Sequence, residues 1–484
     1  MASAREAHRT CSGMAESKDL ALRSASNLQQ MLLKGDVSPT DVAKACLERI
    51  ESYNGALNAI VTRNERMLED ARALENSTRP RGPLYGIPVG IKDTTDVAGM
   101  RTTYGSPLFA NHVPQKDALV VQRLRAAGAV IVGKTNTPEF ALGGATTNAV
   151  FGPTRNPWDL RRTPGGSTGG GAAAVASGMI ALAEGTDLGG SLRMPASFCG
   201  IVGLRPSPGL VPLVPTPHRW GRLSVAGPIA RTTDDLALFL RATSGPTVES
   251  PLGLPVAHPS FFQSVPAGLR LAYCPDVAQI GIQEDILAVC QRATDLLAHA
   301  VGGVDTLNLD LSAGRKAFST LRGQHLLAVH LHRLGRIGDL GANLGGNLQH
   351  GLRTSARELA EAERTRSIIW RQLRNFFQRY EYLLTPCMAI SPFPVEQDYP
   401  TTIAGARMET YYDWFAPTSV LSLTGLPICC VPCGLDASGL PVGLQVVGRP
   451  SNEAGVLAIS RVLERNLPVG LPDLDRTVGQ HASS

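Results

Sequence analysis

Between Pro164 and Ala183 the chain reads Pro-Gly-Gly-Ser-Thr-Gly-Gly-Gly-Ala-Ala-Ala-Val-Ala-Ser-Gly-Met-Ile-Ala-Leu-Ala, and nothing larger than valine follows the proline until Met179. A run with so little side-chain volume is held in place only if its backbone packs directly on another element. Residues 171–183 therefore predict a small-residue helix lying close on a sheet. The run is too short and too glycine-rich to span a bilayer. Around it, the apolar stretches Gly86–Ile91 and Ala129–Val132 flank a helix-like 117–127, and such alternation predicts an α/β sheet.

The rest of the chain extends that rhythm. Residues 24–75 read as a helical layer, with Ser38-Pro39-Thr40-Asp41 supplying an N-cap, a first-turn proline and an early acid. Residues 271–310 read as strand, helix, strand, whereas 312–350 show no clear period. Ser355-Ala-Arg-Glu358 is a capping box opening a helix to about Tyr380, with Leu359, Ala362, Ile369, Leu373, Phe376 and Tyr380 on one face. Leu426–Val447 reads as strands turning at Asp436–Gly439. With 484 residues, 43% hydrophobic and 18% charged, the chain has ample material for a core. Length alone suggests about three domains. Without a low-complexity linker or internal repeat, the reading is one large α/β domain over 24–470, after a flexible tail 1–23.

Several functions are disfavoured. The formal charge is +5, and the basic residues are scattered or interleaved with Glu358, Glu361 and Glu363, which argues against nucleic acid. Cys429, Cys430 and Cys433 lie in an apolar strand-like run without a second ligand pair, so buried thiols are expected rather than a metal. His325, His330 and His332 read as a solvated or partly buried helical face. No metal, cofactor or membrane contact is implied. Arg5, Glu6, Arg9 and Glu16 interrupt any apolar leader, so a cytoplasmic protein is expected. Nothing separates monomer from homodimer.

Two motifs mislead. Gly128–Thr135 satisfies GxxxxGK[ST], but its variable residues, Ala-Val-Ile-Val, form a strand where a phosphate loop is needed. Gly165–Gly169 satisfies GxSxG, yet the preceding Asn156–Pro164, with its prolines and charges, is no central strand for a nucleophile elbow. A third constellation is chemically coherent. Lys92 follows an apolar run that would bury its ammonium, and desolvation lowers a lysine pKa until the amine can accept a proton. Leu188-Gly189-Gly190 before Ser191 lets successive N–H groups converge as an oxyanion hole requires, although alone it equally fits an ordinary turn with a surface serine.

These residues carry a resemblance. Gly86–Asp93, Gly133–Asn136, Phe151–Trp158, Pro164–Gly171, Asp187–Arg193 and Gly439–Gln445 are similar, in order, to the blocks of the amidase signature family, and are densest over 84–206. By position Lys92 resembles that family's catalytic lysine, Ser167 its bridging serine after a cis Gly166–Ser167 bond, and Ser191 its acyl-forming nucleophile. The resemblance implies a single large three-layer α/β/α domain with a central mixed β-sheet covered by helices, and backbone donors from Leu188, Gly189, Gly190 and Ser191, with Gly166 and Thr168 supporting. Asp187 and Arg193 are expected to pair and brace the turn. Thr168, Gly171, Leu210 and Ser422 depart from residues common in the family.

The implied activity is hydrolysis of amide C–N bonds, in aryl or acyl amides or in carbamates, by the chain alone on small molecules. The alternative is the glutaminase subunit of a tRNA-dependent amidotransferase. Ala141, Leu142, Gly143 and Gly144 resemble a pocket-forming segment. Trp370, Phe376, Tyr411, Tyr412, Trp414 and Phe415 either roof that pocket or pack the core, and the variable 312–415 region is expected to set the substrate.

Overall fold

The computed structural model describes residues 20–256, 261–266 and 268–482. Its strands are β1 Ile60–Arg63, β2 Pro88–Lys92, β3 Val130–Thr135, β4 Leu182–Asp187, β5 Val202–Arg205, β6 Val225–Ala230, β7 Leu271–Tyr273, β8 Val304–Thr306, β9 Tyr382–Pro386, β10 Thr402–Ile403, β11 Ala406–Arg407, β12 Ile428–Leu435 and β13 Pro441–Val447. Apart from the β10–β11 hairpin they form one sheet, ordered β1-β3-β2-β4-β6-β5-β12-β13-β9-β7-β8. β2 runs parallel to β3 and β4, the β6, β5, β12 and β13 pairings are antiparallel, and β7, β8 and β9 are parallel again. Central strands such as β2 and β3 are buried at every position, as a sheet covered on both faces requires. The chain is thus a single α/β domain with a large mixed sheet flanked by helices.

The small-residue run is where the layers come closest. Helix Gly169–Ala176 packs on β2, β3, β4 and β6, and every one of its residues is buried. A Cβ on Gly170 would stand 2.3 Å from the Asn136 amide nitrogen and 2.7 Å from the Ala59 carbonyl oxygen. Because those atoms are backbone, they cannot rotate aside. The helix is shorter than the run suggested: it ends at Ala176, and Leu182 and Ala183 belong to β4, completing the parallel pair with β2.

Other expectations hold or shift for identifiable reasons. The N-cap expected at Ser38 forms, with Asp41 completing a capping box there, and the capping box expected at Ser355 opens helix Ala356–Phe376. The helical layer expected over 24–75 is interrupted by β1, whose Ile60-Val-Thr-Arg63 pairs with the edge of β3. The unreadable 312–350 region is helix Gly314–His330, a 3₁₀ stretch and helix Ala342–Arg353. Most of the expected tail 1–23 lies outside the described residues, but Ala21 is buried. Beyond 470, helix Leu474–Ala482 docks on helix Pro39–Leu57, with the Tyr53 hydroxyl donating to Asp475 at 2.5 Å.

Gly170→Ala is expected to destabilise the fold by about 2–3 kcal/mol through overpacking. Gly55→Ala, on helix Pro39–Leu57 with nothing within 4 Å of the new methyl, should be neutral or stabilising by up to about 1 kcal/mol. Denaturant unfolding of both variants measures the contrast.

Candidate active site

Lys92 ends β2 and is completely buried. Its Nζ donates to Ser167 Oγ at 2.8 Å, Thr168 Oγ1 at 3.0 Å and Thr186 Oγ1 at 3.1 Å. Ser167 and Thr168 lie just before helix Gly169–Ala176, after a cis Gly166–Ser167 peptide, and Thr186 lies on β4. Burial lowers the Lys92 pKa to about 7 even though Glu184 and Asp187 pull it upward. In its neutral form the amine has two hydrogens for three hydroxyl neighbours, so its lone pair can accept a proton from Ser167.

Ser191 follows the turn Leu188–Gly190, and its carbonyl accepts from the Thr168 N–H at 3.3 Å, which ties the two loops together. Ser167 and Ser191 line the same cavity, of about 620 Å³. The turn is held by Asp187. Its Oδ1 accepts from Gly190 N–H at 2.8 Å and its Oδ2 from Leu192 N–H at 3.3 Å, while Arg193 forms a fork with both oxygens at 3.0 Å. The Gly190 N–H, expected to face an incoming oxygen, is therefore committed to the Asp187 carboxylate instead. Gly190 has φ +135°, and a Cβ there would lie 2.3 Å from Thr418 Oγ1.

The expected Asp187–Arg193 pair is present, but it is half of a larger cluster. Arg205, from β5, adds a second ion pair to Asp187 at 3.0 Å and donates to Leu223 O at 2.9 Å. Arg193 also donates to Gln445 Oε1 at 2.8 Å, Ser422 Oγ at 2.7 Å and Thr418 O at 3.0 Å. Burial raises the Asp187 carboxyl, but the two arginines more than offset that and hold it at about 2. Arg205 and Thr418 were not singled out from the sequence. Arg205 closes the densest block, whereas Thr418 sits in a plain apolar helix and carries no signal.

A second buried lysine was also missed as more than a strand residue. Lys134 Nζ donates to Thr95 O and to Thr102 Oγ1, and burial lowers its pKa to about 8 against the pull of Asp93 and Glu184. The Glu184 carboxylate accepts from Thr95 Oγ1 at 3.0 Å and from the Lys92 N–H at 3.2 Å. Lys134 thus stands in the sheet, as the rejection of a phosphate loop requires.

Ala141, Leu142 and Gly143 line the cavity. Gly144 does not: it abuts Trp414, whose Cζ2 would lie 2.2 Å from an added Cβ. Tyr411 and Phe415 also line it, whereas Trp414 and Phe376 are core and Trp370 is on the surface. His325 and His330 face this cavity rather than bulk solvent, and burial lowers both to about 3. Among the described residues no cluster of His, Cys, Asp and Glu could hold a metal, and no helix is long and apolar enough to cross a membrane. Cys429, Cys430 and Cys433 are buried free thiols.

The Amidase family model matches residues 41–320 and 330–457. An acylamidase of Rhodococcus erythropolis is 33% identical over 461 residues, 92% of this chain and 95% of that one. A glutamyl-tRNA(Gln) amidotransferase subunit of Moorella thermoacetica is 34% identical over 487 residues, covering 93% and 97%. The crystal structure of a bacterial aryl acylamidase superposes with a TM-score of 0.84 at 27% identity, covering 92% of this chain and 96% of that one.

Asp187→Asn leaves two buried arginines without their counter-ion and should cost about 3–5 kcal/mol in denaturant unfolding. Because the folded carboxyl lies below its unfolded value of ~3.9, the native protein should keep this contribution above about pH 4 and lose it as pH falls toward 2. The variant should lack that acid-dependent component.

Proposed function

Because the chain belongs to the amidase family and is a hydrolase of amide C–N bonds, we propose that it cleaves aryl or acyl amides, and carbamates of similar shape, without a partner protein. Ser191 is the nucleophile, Ser167 the proton relay and Lys92 the base. The observation that carries this reading is the 2.8 Å contact from a dehydrated Lys92 amine to Ser167, on the cavity that Ser191 also lines.

The steps follow from that order. As Ser191 Oγ attacks the carbonyl carbon, its proton passes to Ser167 Oγ, whose own proton moves to Lys92 Nζ. The N–H groups of Leu188, Gly189 and Ser191 receive the developing oxyanion, each such donor being worth roughly 2.7–4 kcal/mol in the transition state. On collapse, Ser167 protonates the departing nitrogen and recovers a proton from Lys92. Water then repeats the relay to release the acid; with a carbamate the acyl-enzyme is a carbonate or carbamate ester. Asp187, Arg193 and Arg205 fix the turn from below and take no proton.

The amidotransferase reading is kept alive by one observation, the near equality of the 33% and 34% identities. The purified chain alone, given a nitroanilide, an aryl carbamate, a long-chain amide and glutamine, is expected to hydrolyse the nitroanilide or the carbamate. Silence on both, with glutamine cleavage appearing only when partner proteins are added, would favour the other reading.

Ser191→Ala should lower kcat by at least about 10³-fold, as removal of a nucleophile does elsewhere. Since Lys92 must be neutral to act and its pKa is about 7, kcat/KM of the native chain should fall tenfold per pH unit well below pH 7. Lys92→Ala should lose that limb together with most of kcat, with partial recovery at high pH. A flat profile from pH 5 to 8 would remove lysine from the base role.

A further inference from the structure

One wall of the cavity is a single helix face. On helix Gly314–His330, Phe318 abuts Gly189, its Cζ 2.8 Å from where a Cβ would stand, and Arg322 follows four residues later, about 6 Å along the axis. His325, Leu326, Val329 and His330 continue the face at helical spacing, and all four line the cavity, as does Arg333 just beyond.

Arg322 lines the cavity while only 3% exposed. Its terminal nitrogens donate to Asn347 Oδ1 and the Tyr411 hydroxyl, and its guanidinium lies 5.0 Å and 5.2 Å from the Tyr411 and Tyr412 rings. All these partners are neutral, and among the described residues no carboxylate stands within 4 Å of it. Nε and one hydrogen on each terminal nitrogen have no protein acceptor. Arg333, half-buried, donates to His330 Nδ1 at 3.1 Å and lies over Phe109 and Phe140, and among the described residues it too has no carboxylate within 4 Å. The two acids that line the cavity are already engaged, Asp96 by the Tyr104 hydroxyl at 2.5 Å and Glu184 by Thr95 and the Lys92 N–H. A guanidinium is always charged, and a buried one without a counter-ion is costly.

We propose that the missing counter-ion is the substrate: an amide that carries a carboxylate, seated on Arg322, within a few bonds of the carbonyl attacked by Ser191. This rests on the amide-hydrolase reading and narrows it to anionic amides. A carboxylate suits the planar fork, which binds it through two parallel N–H bonds. The rings of Tyr104, Phe140, Tyr411 and Phe415 line the same cavity and offer apolar surface to an aryl group.

Two isosteric pairs test the idea on the purified full chain, one for each side of the scissile bond. Succinyl-p-nitroanilide is compared with pentanoyl-p-nitroanilide, and 4-acetamidobenzoate with 4-nitroacetanilide. The carboxylate should be favoured at least tenfold in kcat/KM in one pair, mainly through KM, and Arg322→Gln should bring that ratio close to one. Arg322→Lys, which keeps the charge but loses the planar fork, should lower the ratio part of the way, and it carries the test should Arg322→Gln fail to fold. Ratios near one in both pairs for the native chain would overturn the inference while leaving amide hydrolysis intact. If none of the four is cleaved, the hydrolase reading fails on these substrates, and calorimetry decides the inference separately. Benzoate binding at least tenfold tighter than its neutral isostere nitrobenzene, with the difference lost in Arg322→Gln, supports it; equal affinities overturn it.

Discussion

A lysine ammonium shut away from water at the end of β2 is the constraint on which the rest of the site depends. An amine in bulk solvent is protonated and useless as a base at neutral pH. Making it otherwise takes a wall that excludes water yet offers hydroxyls, and here Ser167, Thr168 and Thr186 provide it. That wall exists because helix Gly169–Ala176 approaches the sheet closely enough to bring the preceding Ser167 and Thr168 within reach of Nζ. The glycine content of 164–171 and the chemistry at Lys92 are consequences of one close packing of backbone on backbone.

Holding such a site open needs a rigid counterpart on the other loop. The turn Leu188–Ser191 cannot order itself with glycines alone, since they have the most conformational freedom to lose. Asp187 supplies the order by gathering backbone N–H groups from the turn and two arginines from different elements. Those arginines extend the bracing through Gln445 on β13 and Ser422 on a neighbouring helix, so the turn is anchored to the far half of the sheet. In this account the ion cluster sets geometry, and the lysine–serine chain moves protons.

Much of this is legible in the sequence because the chemistry is local there. Lys92 after its apolar run and the glycines before Ser191 suggest chemistry by themselves, Ser167 stands out only through the family resemblance of its block, and the N-cap at Ser38 and the capping box at Ser355 mark helix starts by side-chain chemistry alone. What escaped depends on distance. β1 is a strand only because the edge of β3 is beside it, and Thr418 matters only because the fold carries it to Gly189, where its hydroxyl donates to the carbonyl at 2.6 Å. The 312–350 region lacked a period because one face of helix Gly314–His330 looks into a cavity. Arginines and histidines there stand where a core-facing helix would carry leucines. The Gly190 N–H was assigned to an incoming oxygen for a similar reason, as the sequence does not reveal that Asp187 turns back to take it.

The most direct measurement of the central claim is the titration of Lys92 itself in the resting protein. The chain contains only seven lysines, so ¹³Cε-labelled lysine gives a spectrum that variants can assign residue by residue. The account predicts that the Lys92 resonance titrates at about pH 7, well below the ~10.4 of a lysine in water and below Lys134 at about 8. A Lys92 that titrates near the ~10.4 of a lysine in water would contradict it, because a permanently charged ammonium cannot take the proton of Ser167.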